Sequence, residues 1–117
     1  ILAVGGPRND GNGVNAGHVR LFMWNGTDWD QQGLGIDGQA SNDMFGWSVS
    51  LSFDGSIVAV GATGNNDNGI DSGHVRVFRW DDNTSSSSWT QLGSSIVGDS
   101  ARDNFGQSVS VSSDGSI

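Results

Sequence analysis

The segment from Phe45 to Ile57 reads FGWSVSLSFDGSI, and residues 105–117 repeat it as FGQSVSVSSDGSI. Serine alternates with larger, apolar residues across 48–53, which is the period-two pattern of a half-buried β-strand. The Asp-Gly pair that follows predicts a tight hairpin turn. Residues 57–63 are nearly all small or apolar and predict the returning strand. The segment therefore predicts a β-hairpin that begins again 60 residues later.

The repetition extends outward from this hairpin over the whole chain. Residues 17–20 (GHVR) recur at 73–76, and more than half of the positions are identical when 1–24 is compared with 57–80 and 29–57 with 89–117. The second copy has four additional residues within 81–88, as an insertion in a turn would. Because chance does not produce such agreement, the chain contains two copies of one unit.

Each unit predicts four short antiparallel strands. In the fuller copy they are 45–53, 57–63, 73–80 and 89–96, separated by loops rich in Gly, Asn, Asp and Ser. Four such strands repeating at about 60 residues are typical of a β-propeller blade. The predicted fold is all-β, a partial β-propeller of two consecutive four-stranded antiparallel blades. Residues 1–117 form part of one propeller domain, with blade strands in 1–36, 45–96 and 105–117, cut in mid-blade at both ends.

The composition agrees with an all-β fold and excludes some partners. The chain has 19 Gly, one Pro and no Cys, its thirteen acidic residues are all Asp and its five basic residues are all Arg. Asp, Asn, Ser and Gly favour turns, so little or no helix is expected. The net charge of -8 counts against nucleic acid and against an anionic membrane surface. No apolar run reaches the roughly 18 residues that a membrane-spanning helix needs.

Two motifs resemble a known family. Phe45-Gly46, followed by Val60-Gly61-Ala62 and Thr63, resembles the FG-GAP repeat, the blade unit of the integrin α-subunit propeller and of many microbial and algal proteins. The resemblance covers essentially the whole chain and is closest to the microbial and algal subtype. It implies a propeller of usually seven blades. The remaining blades are expected in a longer polypeptide, and the alternative is self-assembly of copies.

Calcium is a candidate cofactor, but not at the family's usual position. Integrin-type blades often carry a calcium loop before this strand, whereas residues 52–55 and 112–115 have one carboxylate each, and calcium takes six to eight oxygen ligands. Another oxygen-rich loop aligns between the copies, at 9–15 and 65–71. The alternative for this loop is a turn whose side chains bond its own backbone. The candidate calcium ligands are Asp67, Asp71, Asn65 and Asp10.

The remaining titratable groups indicate structure more than catalysis. His18 and His74 occupy equivalent positions in the two copies, so a structural role is predicted for both. Asp43 and Asp103 are predicted turn caps, and Asp54 and Asp114 are predicted hairpin-turn residues. The sequence has no Cys nucleophile, no Gly-x-Ser-x-Gly motif, no phosphate loop and no histidine pair at metal spacing. The chain is therefore predicted not to be an enzyme.

Positions at which the copies differ are the candidates for specificity. Trp47 stands where the second copy has Gln107, and Met44 where it has Asn104. A recognition patch is one reading of these differences, and packing between blades is the other. The candidate recognition residues are Trp47, Met44, Arg102 and Arg79.

These observations favour a non-catalytic β-propeller module that binds a protein or a glycan. An extracytoplasmic location (secreted, cell-surface or lumenal) is expected, with no nucleic-acid partner and no membrane insertion. The alternatives are a structural or accessory subunit docked on a large assembly, and a fragment of an enzyme whose site lies in other blades. N-glycosylation sequons at 25–27 and 83–85 suit that location, although a chain this rich in Asn, Ser and Thr contains two by chance.

Overall fold

The computed structural model describes residues 1–82 and 87–117, and within these residues the chain forms β-strands and no helix. The strands pair in two antiparallel sheets, as the sequence predicted. No described helix is long and apolar enough to cross a membrane. The predicted sequon at 83–85 lies outside the described residues. The strands are β1 (Leu2–Gly6), β2 (His18–Trp24), β3 (Trp29–Gln31), β4 (Ile36–Asp37), β5 (Phe45–Leu51), β6 (Ile57–Ala62), β7 (His74–Asp81), β8 (Ser88–Gln91) and β9 (Ile96–Val97).

The second sheet contains the complete repeat. Its strands lie in the order β5-β6-β7-β8, and β9 pairs with the beginning of β7. The predicted single strand at 89–96 is therefore wrong, because β8 and β9 are separate short strands. Gly93 between them has a φ of 68°, a left-handed conformation that interrupts the ladder. Gly33, with a φ of 75°, separates β3 from β4 in the first sheet in the same way.

The first sheet contains the same strands without the opening one. β2 pairs with β1 on one side and with both β3 and β4 on the other. Residues 105–117, predicted as strands, contain only a bridge at Phe105 and a hairpin turn. The physical reason is pairing: β5 is ordered by its ladder with β6, and residues 105–117 form no such ladder with any of the described strands.

The core lies between the two sheets. Alternate residues of β2 point towards the second sheet and meet the side chains that β5, β6 and β7 direct towards the first. Burying an apolar side chain of this size stabilises a fold by about 1.5–3 kcal/mol, so this layer contributes much of the stability. Its buried members are Val19, Leu21, Phe45, Val58, Val60, Ala62 and Phe78.

Contacts between consecutive repeats follow one pattern. The peptide N–H of Phe45 donates to the carbonyl of Ala16 at 3.0 Å, and that of Phe105 donates to Ser72 at 2.9 Å. A Cβ atom on Gly5 would overlap the carbonyl oxygen of Gly46, just as one on Gly61 would overlap that of Gly106. Each repeat therefore docks on the preceding one through the same backbone positions.

Candidate functional site

A groove of about 380 Å³ opens where loops of the two repeats meet at one end of the sheets. One wall is the segment that leads into β5, and the other is the segment that leads into residues 105–117. Met44 and Trp47 on the first wall occupy the same repeat positions as Asn104 and Gln107 on the second. The groove therefore lies between equivalent positions that carry different side chains. Its lining residues are Asn42, Met44, Trp47, Thr63, Gly64, Asp71, Asn104 and Gln107.

Trp47 is positioned by a β-bulge. The pairing of β5 with β6 runs from Phe45 opposite Ala62 directly to Ser48 opposite Gly61, so Gly46 and Trp47 stand outside the regular ladder. A bulge turns side chains away from their regular direction. Trp47 is 46% exposed on β5, the edge strand of the second sheet. The predicted recognition role of this residue is compatible with its position in the groove.

Met44 occupies a backbone conformation that does not suit methionine. Its φ is 58°, in the left-handed region, where its equivalent Asn104 has a φ of 52°. Asn is found in this region far more often than most residues other than glycine, whereas a longer apolar side chain is strained there. Local strain of this kind concentrates at functional sites.

The polar side chains of the groove are not used by the fold. In residues 1–82 and 87–117, five of them make no hydrogen bond within the chain. Two other polar side chains of the aligned loops at 9–15 and 65–71 are already bonded: Asn68 donates from Nδ2 to the carbonyl of Gly98 at 2.9 Å, and Asp10 accepts from the N–H of Asn15 at 2.9 Å. The groove thus contains both hydrogen-bond donors and acceptors that remain available. These five residues are Asn42, Thr63, Asp71, Asn104 and Gln107.

The candidate calcium ligands are only partly together and mostly serve their own loops. The side-chain Oδ1 of Asn65 accepts from the N–H of Asp67 at 2.9 Å, and its Nδ2 donates to Oδ2 of Asp43 at 3.0 Å. Asp10 lies in the other copy of the loop. Across the described residues, no three His, Cys, Asp or Glu side chains are grouped as a metal site. The calcium hypothesis stays a prediction, and a melting temperature unchanged by millimolar calcium would end it.

The hairpin at Asp54 does not fit the family's cation site. One carboxylate oxygen of Asp54 accepts from the Ser52 hydroxyl at 2.9 Å and from both the N–H and the hydroxyl of Ser56, at 3.0 and 2.7 Å. The hydrogen bonds from Ser56, followed by the one from Ser52, lower the pKa of Asp54. This exposed carboxylate closes a turn, as predicted, and the same arrangement recurs at Asp114.

His74 is fully buried and has a partner that the equivalent His18 lacks. Its Nδ1 lies 3.2 Å from Oδ2 of Asp67, which replaces Gly11 of the first copy. Burial lowers the pKa of His74, against the opposing effect of Asp67. Its Nε2 has no hydrogen-bond partner among the described residues, so the neutral ring with its proton on Nδ1 fits best. Comparing the two copies did not predict this pair, although the sequence shows that Gly11 of the first copy is Asp67 in the second.

Arg76 joins the two sheets. Its guanidinium carbon lies 5.0 Å from the ring centre of Phe45 and 4.8 Å from that of Phe78, and Nη1 donates to the carbonyl of Asp37 at 3.2 Å. The equivalent Arg20 packs over Phe22 and donates to Oε1 of Gln31, both within its own sheet. Arg76 therefore acts in packing between the repeats, away from the groove.

The other predicted recognition residues do not line the groove. Arg102 is exposed, and its N–H donates to the carbonyl of Ile70 at 2.7 Å. Arg79 is exposed on β7, opposite Ile57. The structure brings together Trp47 and Met44, and adds Asp71, which the sequence had assigned to calcium.

The fold and the repeated glycine contacts define an all-β repeat protein of antiparallel sheets. The FG-GAP repeat family model matches residues 30–78, which include the Phe45-Gly46 motif and the Val60-Gly61-Ala62 strand. This match confirms the FG-GAP resemblance drawn from the sequence over this segment. The match does not distinguish the microbial and algal subtype, which stays a prediction. No curated protein matches the chain significantly.

Proposed function

We propose that the chain is part of a β-propeller that binds a protein or a glycan through the groove between its repeats and catalyses no reaction. The groove carries this proposal, because an exposed indole and available polar groups converge there at positions where the two repeats differ. If these residues served only the folding of the repeat, the same side chains would be expected in both copies.

The two sheets serve as consecutive blades in this proposal. The same backbone contacts join the first sheet to the second and the second to residues 105–117, so a constant step relates successive repeats. A constant step around an axis is what a propeller requires. The apolar outer faces then belong to seams with further blades.

An extracytoplasmic location and the absence of nucleic-acid partners complete the proposal. The acidic net charge of -8 supports the second point, because phosphate binding requires a basic surface. The extracytoplasmic location rests on the FG-GAP resemblance to integrin-type and microbial propellers.

A double variant, Met44→Asn with Trp47→Gln, tests the groove against panels of immobilised glycans and peptides. The substitutions introduce the residues that the other wall already has, on an equivalent backbone, so the fold should remain. Circular dichroism and the melting temperature check this. We expect panel members that bind the parent chain and not the variant. Equal binding by both proteins, or no binding at all, would contradict the proposal.

A further inference from the structure

The groove has the chemistry of a site for an uncharged sugar. Three of its lining residues, Asn42, Asn104 and Gln107, carry amides that both donate and accept hydrogen bonds. Asp71 and the Thr63 hydroxyl add acceptors, and Thr63 also adds a donor. A sugar hydroxyl likewise donates and accepts. A ligand that presents several hydroxyls can therefore use both kinds of group at once, whereas a cation uses acceptors only.

The indole of Trp47 supplies the apolar half of such a site. One face of a sugar ring presents C–H groups, which pack favourably against the electron-rich face of an aromatic ring. Trp47 is 46% exposed in the groove, and Met44 lines the same wall. An apolar wall facing free amides matches a ligand that has an apolar face and a hydroxylated rim.

The charge and size of the groove narrow the ligand further. Its lining includes no Lys, Arg or His, and its one charged residue is Asp71. Together with the net charge of -8, this disfavours sialylated, uronic or sulfated sugars. A volume of about 380 Å³ is at the lower end of small-ligand pockets, which suits one or two rings better than a broad protein surface.

We propose, on the basis of the binding function above, that this groove binds a neutral glycan, with Trp47 stacking on a sugar ring and the amides of Asn42, Asn104 and Gln107 bonding its hydroxyls. Asp71 accepts hydrogen bonds from hydroxyls in the same site.

The test is a titration of the ¹⁵N-labelled chain, followed by NMR at the indole and side-chain amide signals. The probes are the methyl glycosides of glucose, galactose, mannose and N-acetylglucosamine, at up to tens of millimolar. We expect one of them to produce saturable shifts at Trp47, Asn104 and Gln107. Trp47→Gln should weaken that binding about tenfold or more, because a central aromatic contact is lost.

Asp71→Asn introduces the residue that the first copy has at this position, Asn15, whose φ of 54° matches the 55° of Asp71. It should weaken binding severalfold without unfolding the chain. Asp82→Asn is the matched control, since it removes the same charge beyond the far end of β7, an eight-residue strand and so about 25 Å from its beginning. This control should bind as the parent chain does.

The outcomes separate the two proposals. Shifts produced instead by glucuronate, or by the peptide acetyl-Gly-Arg-Gly-amide, would overturn the neutral-glycan inference and leave a binding groove. Shifts from a glycoside that persist in Trp47→Gln would overturn the assignment to this groove. Silence towards every probe, in a chain that still binds a panel member through Trp47, would overturn the glycan inference alone.

Discussion

At the scale of the residue, equivalent positions of the two copies differ in burial and in hydrogen-bond partners when the neighbouring residues differ. His18 and His74 share one strand position, yet only His74 is completely buried and lies beside a carboxylate. The difference arises at Asp67, where the first copy has Gly11. Met44 and Asn104 are a second example, because one left-handed backbone position holds a favourable residue in one copy and a strained one in the other.

The burial of His74 predicts a pH dependence of stability. Because burial lowers its pKa, the folded state binds fewer protons than the unfolded state below the ordinary histidine value of about 6.5. The stabilisation is complete above that pH and is lost as the pH falls from there to the lower pKa of folded His74. Asp67 and Asp43 oppose the shift and Arg76 adds to it.

Urea unfolding between pH 5 and 8 measures this dependence. The free energy of unfolding should fall towards pH 5 in the parent chain, and His74→Gln should lose most of that slope. His18→Gln retains His74 and should keep it. The lowered pKa of Asp54 acts near pH 4 and below, outside the window. A slope unaffected by His74→Gln would show that other groups produce it.

At the scale of the element, the family motif is explained by contacts between backbones. Gly46 follows the buried Phe45 with a φ of 94°, and its carbonyl approaches Gly5 of the preceding sheet too closely for a side chain on Gly5. The glycines of the motif thus allow one repeat to approach the next. The bulge that begins at Gly46 also turns Trp47 out of the ladder.

Gly5→Ala should therefore destabilise the chain by about 2 kcal/mol or more, because the new methyl group overlaps the backbone of the next repeat. Gly6→Ala is the matched control. Its methyl group would lie 3.0 Å from the His18 ring, and the second copy already carries Ala62 there, opposite His74. Thermal melts of both variants check the prediction. Equal destabilisation would mean that the Gly5 contact has no special role.

At the scale of the whole molecule, the two outer faces repeat the chemistry of the buried interface. Val4 is 45% exposed on the outside of the first sheet, whereas its equivalent Val60 is fully buried between the sheets. Phe105 is 40% exposed and its equivalent Phe45 fully buried. The exposed face of the first sheet is therefore complementary to the exposed face at the other end of the molecule, in the same way that the two sheets are complementary where they pack on each other.

We expect copies of the chain to associate through these faces at high concentration, and Val4→Asp to reduce this association, because a carboxylate would be buried without a partner. Light scattering combined with intact mass spectrometry measures the change. Val14→Asp is the control, since Val14 and its equivalent Ile70 are both exposed. Association unaffected by Val4→Asp would show that this face is not a seam.

Much of the fold was predictable from local patterns. The alternation after Phe45 and the Asp-Gly turn located the hairpin, and the shift of equivalent motifs located the second copy. The split of the fourth strand was not predicted, because the sequence does not show whether Gly93 continues the strand or adopts the left-handed conformation that it has. The strands predicted over 105–117 were not found, because pairing depends on a partner strand and not on the pattern alone.

The candidate site was also predicted only in part from the sequence. Trp47 and Met44 were identifiable as differences between the copies, since comparison of repeats needs no coordinates. The tertiary structure decided that Asn104, Gln107 and Asp71 line the same groove as Trp47. The packing of one repeat on the next places residues about 60 positions apart in sequence on opposite walls of that groove. The sequence by itself determined the repeat, most of the strands and the acidic character, which are local or compositional. Only the packing of one sheet on the next decided which side chains stay buried, paired or available.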